Sequence, residues 1–97
     1  MAIAALGHAY ALAGKREEAR RAIAELEELS KQRWVSPAQI AMIYAALGDK
    51  DKTFAWLDKA DKERDSVLAR LKVDPRLDSL HSDPRFADLV RRVGLPQ

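Results

Sequence analysis

Leu6-Gly7-His8-Ala9-Tyr10-Ala11-Leu12-Ala13-Gly14 and Ile40-Ala41-Met42-Ile43-Tyr44-Ala45-Ala46-Leu47-Gly48 decide the fold, because the second stretch restates the first at a separation of 34 residues. Tyr10 falls opposite Tyr44, Gly14 opposite Gly48 and Leu6 opposite Ile40. The same offset holds downstream, where Ala19, Ile23 and Leu26 correspond to Thr53, Leu57 and Ala60. A fixed period of this length marks a supersecondary unit that cannot cover its own apolar face and is stabilised by stacking on a neighbour.

Each unit reads as two helices. Ile3, Leu6, Tyr10 and Ala13 recur at helical spacing, and Gly14 supplies the left-handed residue that ends a helix at low cost. Ala19, Ala22, Ile23, Leu26 and Leu29 mark a second, amphipathic helix whose other face carries Glu17, Glu18, Arg20, Arg21, Glu25, Glu27 and Glu28. Ser36-Pro37-Ala38-Gln39 opens the next unit: Ser36 caps free N–H groups, Pro37 occupies the tolerated first position and Gln39 completes a capping box. That helix is expected to stop at Gly48, and its partner, with Phe54, Trp56, Leu57 and Ala60, to run to about Arg64.

After Arg64 the 34-residue pattern is expected to end. Val67, Leu68 and Leu71 suggest a short helix, Asp74-Pro75 a break and brief turn through Leu77 and Leu80. Asp83-Pro84 repeats that device and starts a last helix with Phe86, Leu89, Val90 and Val93 on one face, closed by Gly94 and Pro96. The expected organisation is one domain, with repeat one at 1–33, repeat two at 34–64 and a capping tail at 65–97.

Composition agrees with a single domain. Ninety-seven residues, 47% hydrophobic and 33% charged, suffice for one thin core and leave no room for two. The 17 basic and 15 acidic side chains are too evenly mixed to imply a nucleic-acid groove. The absence of cysteine excludes disulfides, thiolate zinc sites and a thiol nucleophile. No apolar stretch approaches the roughly 18 residues of a membrane span, and Met1-Ala2-Ile3-Ala4-Ala5-Leu6 lacks the basic start of a secretory leader. A cytoplasmic location is the corresponding expectation.

In its spacing the pattern resembles the tetratricopeptide repeat. That family's helix pair carries a large-small apolar pair, a tyrosine, a turn glycine, and then small, large and small residues in the second helix. Leu6-Gly7, Tyr10, Gly14, Ala19, Ile23 and Leu26 match in repeat one, and Ile40-Ala41, Tyr44, Gly48, Thr53, Leu57 and Ala60 in repeat two. Thr53, Leu26, Lys31 and the Ile3 and Pro37 that stand in place of the family's tryptophan are departures. The tail, from Leu71 to Phe86, looks like the segment that closes such arrays in multidomain bacterial signalling and regulatory proteins.

The resemblance implies an all-α solenoid of helical hairpins with a helical C-terminal cap, and a concave groove that takes extended peptides or helices of partner proteins. The matching groove positions are Ala4, His8, Ala11 and Leu12 from repeat one with Ala38, Met42, Ala45 and Ala46 from repeat two. The Lys and Asn with which the family clamps a terminal carboxylate are replaced by Ala4, His8, Ala38 and Met42, so that mode is not expected. An apolar side chain or an amphipathic helix suits Leu12 and Met42 better. The tail packing back across the groove is the alternative. At the other end no capping helix precedes the first repeat, so Met1, Ile3 and Leu6 are expected to form an exposed apolar edge, covered by preceding repeats or by a second copy.

Catalysis has no visible residues. His8 and His81 lie far apart with no acidic partner at ligand spacing, so no metal and no cofactor is expected. The serines sit at helix ends, where capping accounts for them. The acidic residues lie on a face laced with Arg and Lys, where a solvated role is the default. Trp56 beside Leu57 is expected to pack at the edge of the stripe or against the tail; Trp34 is either a contact residue or a wedge between repeats. The reading is therefore a non-enzymatic interaction module for a protein or peptide partner, with a homo-oligomer through Met1, Ile3 and Leu6 as a further option, and with no nucleic acid or membrane involved. The alternatives are a self-assembling or capping end of a longer array, and an accessory domain of a multidomain regulatory protein or enzyme.

Overall fold

The computed structural model describes residues 2–65, 68 and 75–93. Those residues are all-helical, with no strand among them: α1 (Ala2–Leu12), α2 (Arg16–Leu29), α3 (Pro37–Leu47), α4 (Lys50–Lys62), a 3-10 helix (Pro75–Leu80) and α5 (Pro84–Val93). Helix α1 packs on α2 and α3 on α4; α1 and α2 both lie against α3, the 3-10 helix lies against the same α3, and α5 lies against α4.

The two glycine turns are the same local structure. Gly14 has φ +80° and Gly48 φ +83°, the left-handed region in which a side chain is strained. Gly14 and Lys15 donate their N–H groups to the Ala11 and Tyr10 carbonyls at 3.2 and 2.9 Å, and Gly48 and Asp49 donate to Ala45 and Tyr44 at 3.1 and 3.0 Å. Two unsatisfied carbonyls at each helix end thereby gain partners.

At the start of α3 the Ser36 hydroxyl accepts the Gln39 N–H at 3.3 Å, as the capping-box spacing predicts. The other partner is not a local one. Asp65, just after α4, accepts the Ser36 hydroxyl at 2.5 Å and the Ala38 N–H at 3.1 Å. This buried carboxylate ties the end of one helix to the start of its neighbour. The chain reaches it through Arg64 at φ 55°, so α4 ends at Lys62, slightly short of the Arg64 boundary expected from its apolar spacing.

The 34-residue period also extends further than the apolar pattern suggests. Helices α2, α4 and α5 begin at residues 16, 50 and 84, so each start follows the last by 34. Asp49 and Asp83 occupy the same capping position, Asp49 accepting the Lys52 N–H at 3.1 Å and Asp83 the Arg85 N–H at 2.9 Å. Two ion pairs join residues 34 apart across α4 and α5: Asp51 to Arg85 at 2.8 Å and Asp58 to Arg92 at 2.7 Å. Hydrogen bonding to the Arg85 side chain, then to its backbone N–H, holds the Asp83 carboxyl below the usual carboxylate range. The repeat is hidden in the sequence because the apolar positions of α5 are shifted against those of α4 while the helix starts are not. The proposed short helix at Val67 and Leu71, the Asp74 cap and the Gly94-Pro96 stop lie outside the described residues, apart from buried Leu68.

The core has two lobes. In one, Ala4, Ala11, Ala19, Ile23, Leu26, Ile40 and Ile43 join α1, α2 and α3. In the other, Met42, Phe54, Leu57, Leu77, Leu80, Phe86 and Leu89 join α3 and α4 to the tail. Trp56 packs against both. Trp34 is 59% exposed and donates its indole N–H to Glu63 at 3.2 Å. His81 lies on the surface with its ring 4.6 Å from that of Phe86.

Candidate functional site

Helices α1 and α3 are both free of charged residues, with the sequences AIAALGHAYAL and PAQIAMIYAAL. A helix apolar on all sides is built to be covered on all sides. For α3 this is achieved: Pro37, Ala38, Ile40, Ala41, Met42, Ile43 and Leu47 are buried and no residue of the helix is fully exposed. For α1 it is achieved on one side only. Ala4, Gly7 and Ala11 point inward, whereas Ala5, Leu6, Ala9, Leu12 and Ala13 face outward. Leu6 is 51% and Leu12 68% exposed.

The inward side is packed to the limit. A Cβ at Gly7 would stand 2.8 Å from the Ala22 Cβ and 2.9 Å from the Ile43 Cδ1, so a hydrogen is the only substituent that fits where α1 meets α2 and α3. On the outward side, Leu6, Ala9 and Ala13 stand 34 residues before Ile40, Ile43 and Leu47, which in α3 are buried in the lobe shared with α1 and α2. An apolar notch of about 270 Å³ lies between Leu29 of α2 and Ile3, one helical turn before Leu6, and is rimmed by Glu25, Glu28 and Gln32.

The groove positions read from the family resemblance divide in two. Ala4, Ala11, Ala38 and Met42 are buried, Met42 at 2% exposure. Ala38 and Met42, with Ala45 packed beside them, belong to the lobe containing Leu77, Leu80 and Phe86, so the tail covers the positions expected to line the second-repeat half of a groove. His8 and Ala45 are half-buried, Ala46 likewise, and Leu12 stands in the open. Of the expected apolar edge, Ile3 is half-buried and Leu6 exposed, while Met1 lies outside the described residues. The stripe read from spacing as Ile3, Leu6, Tyr10 and Ala13 is not the buried face of the first helix: Leu6 and Ala13 are exposed, and Ala4, Gly7 and Ala11 are buried, because the small residues let α1 approach α2 and α3 closely. Ala5, Ala9 and the Glu25 and Glu28 rim carried no signal of their own beyond the charge-free composition of α1.

A second, polar cleft of about 280 Å³ lies on the other flank of α2, where Arg16, Arg20, Lys52, Glu27 and Asp49 surround Tyr44. Burial, reinforced by Glu27 and Asp49 and eased by Arg20, pushes the Tyr44 hydroxyl above its usual range. Its charges have structural employment: Arg16 donates to the Leu47 carbonyl at 3.1 Å and Asp49 caps α4. Among the described residues no group of His, Asp and Glu is placed to hold a metal ion, and no helix is long and apolar enough to cross a membrane.

No family model, no curated protein and no solved structure matches the chain.

Proposed function

We propose that this chain is a protein-interaction module of the tetratricopeptide type: a short solenoid, closed at one end by its tail, that docks a helix of a partner protein on the open face of α1. It has no catalytic activity of its own. One observation carries the reading, namely that of two charge-free helices in equal register, α3 has no exposed residue whereas α1 leaves Ala5, Leu6, Ala9 and Leu12 exposed. The repeated Gly14 and Gly48 turns and the constant spacing of helix starts support the solenoid assignment. An apolar surface formed by Leu6, Leu12 and the alanines between them is the kind of patch that marks a contact site on a small protein.

Peptide binding in the groove is the weaker variant, because Ala38 and Met42 are occupied by the tail. The equivalence of α1 with α3 also favours a second reading, in which a further hairpin of a longer array covers α1. Both place a helix on the same face. A photo-crosslinking residue at Ala9, with Ala55 on the exposed side of α4 as control, tests this. The expected result is an adduct from position 9 alone, mapped by mass spectrometry to a segment with apolar residues at helical spacing, and lost in Leu6→Asp. Equal adducts from both positions, or none from position 9, would overturn the reading.

A further inference from the structure

We infer that the helix docked on α1 is amphipathic with a basic flank, its Lys or Arg side chains meeting Glu25 and Glu28 of α2. The inference rests on the α1 docking reading and names the chemistry of its partner. Charge on α2 is unevenly divided. On the flank facing α3, Arg16, Arg20 and Glu27 line the Tyr44 cleft. On the opposite flank, beside the open face of α1, Glu18, Arg21, Glu25, Glu28 and Gln32 follow one another at steps of three and four residues and so form one ridge. That ridge holds three carboxylates and one guanidinium.

Its counter-charges within the chain are weak. Glu28 reaches Lys31 at 3.3 Å with both side chains about seven-tenths exposed, and Glu25 makes no ion pair among the described residues. Below the ridge, the notch between Ile3 and Leu29 accepts one apolar side chain, and its rim consists of Glu25, Glu28 and Gln32. A helix lying along Leu6, Ala9 and Ala13 with an apolar residue in that notch sets its flanking side chains against Glu25 and Glu28. Basic residues there gain attraction and acidic ones are repelled. A second copy of this chain fits less well, since α1 has no charged residue to offer to the ridge and the copy's own ridge is acidic.

The test uses the whole chain and two synthetic helical peptides with the same leucine stripe, one flanked by lysine and the other by glutamate. Affinity is measured by titration at low salt, and hydrogen exchange locates the contact. Protection of α1 with tighter binding of the lysine peptide, by about three- to tenfold, is expected for two rim charge pairs. The preference should shrink in high salt and invert in the Glu25→Lys, Glu28→Lys double variant, whose exposed positions leave folding intact. Equal protection of α1 by both peptides keeps the docking reading and overturns the basic-flank inference. No protection of α1 by either overturns both. A dimer with α1 already protected in the absence of peptide overturns the inference by assigning the face to a second copy.

Discussion

Gly7 shows how much of the stacking depends on one missing methyl group. Alanine is the better helix former by roughly 1 kcal/mol, so on an open surface Gly7→Ala would stabilise α1. Here the new Cβ meets the Ala22 Cβ at 2.8 Å, an atom fixed by its own backbone, and the Ile43 Cδ1 at 2.9 Å in a fully buried side chain. The helices have to part, and overpacking of this kind costs about 1–3 kcal/mol. The steric term exceeds the propensity term, so urea denaturation of Gly7→Ala is expected to show a net loss of about 1 kcal/mol. Unchanged or increased stability would mean that α1 is not held so closely. That a small residue belongs at Gly7 was legible from its pairing with Ala41. The need for glycine itself was not, because it comes from two side chains that are distant in sequence. Asp65 is similar: nothing local marks it as the cap of a helix that starts near Ser36.

At the scale of the element, the tail is held by two kinds of contact of unequal worth. The ion pairs of Arg85 and Arg92 with α4 are solvent-exposed, and such pairs contribute below about 1 kcal/mol each. Leu77, Leu80 and Leu89 are fully buried against α3 and α4. Leu80→Ala is therefore expected to lower stability by about 2–5 kcal/mol, and Arg92→Ala by less than 1 kcal/mol. Thermal or urea unfolding of the two variants compares them directly; an equal loss would show that the charged contacts, not the apolar seam, seat the tail. The helices of both repeats were legible from spacing, glycine stops and the Ser36-Pro37 start. The tail's place over Ala38 and Met42 was legible as an alternative to an open groove, but its seat residue by residue was not, because its apolar residues keep a register different from its helix start.

At the scale of the whole molecule, a helix is held in proportion to the neighbours that cover it. Helix α3 touches α1, α2, α4 and the 3-10 helix, whereas α1 has neighbours on one side alone. Native-state hydrogen exchange is expected to find the slowest amides in α3 and faster exchange along α1, with protection of α1 rising when its open face is filled. Uniform protection across α1 and α3 would indicate that the chain unfolds as one cooperative unit with no weak end. The sequence by itself determined the helical period, the two glycine turns and the charge-free character of α1 and α3, because these follow from residue types within a few positions of one another. Only the tertiary structure decided that α3 is enclosed, that the tail packs on Met42, and that the open apolar face of α1 lies near Glu25 and Glu28. Exposure depends on which elements lie alongside, and two charge-free helices acquire different surfaces when one is enclosed by its neighbours and the other is covered on one side alone.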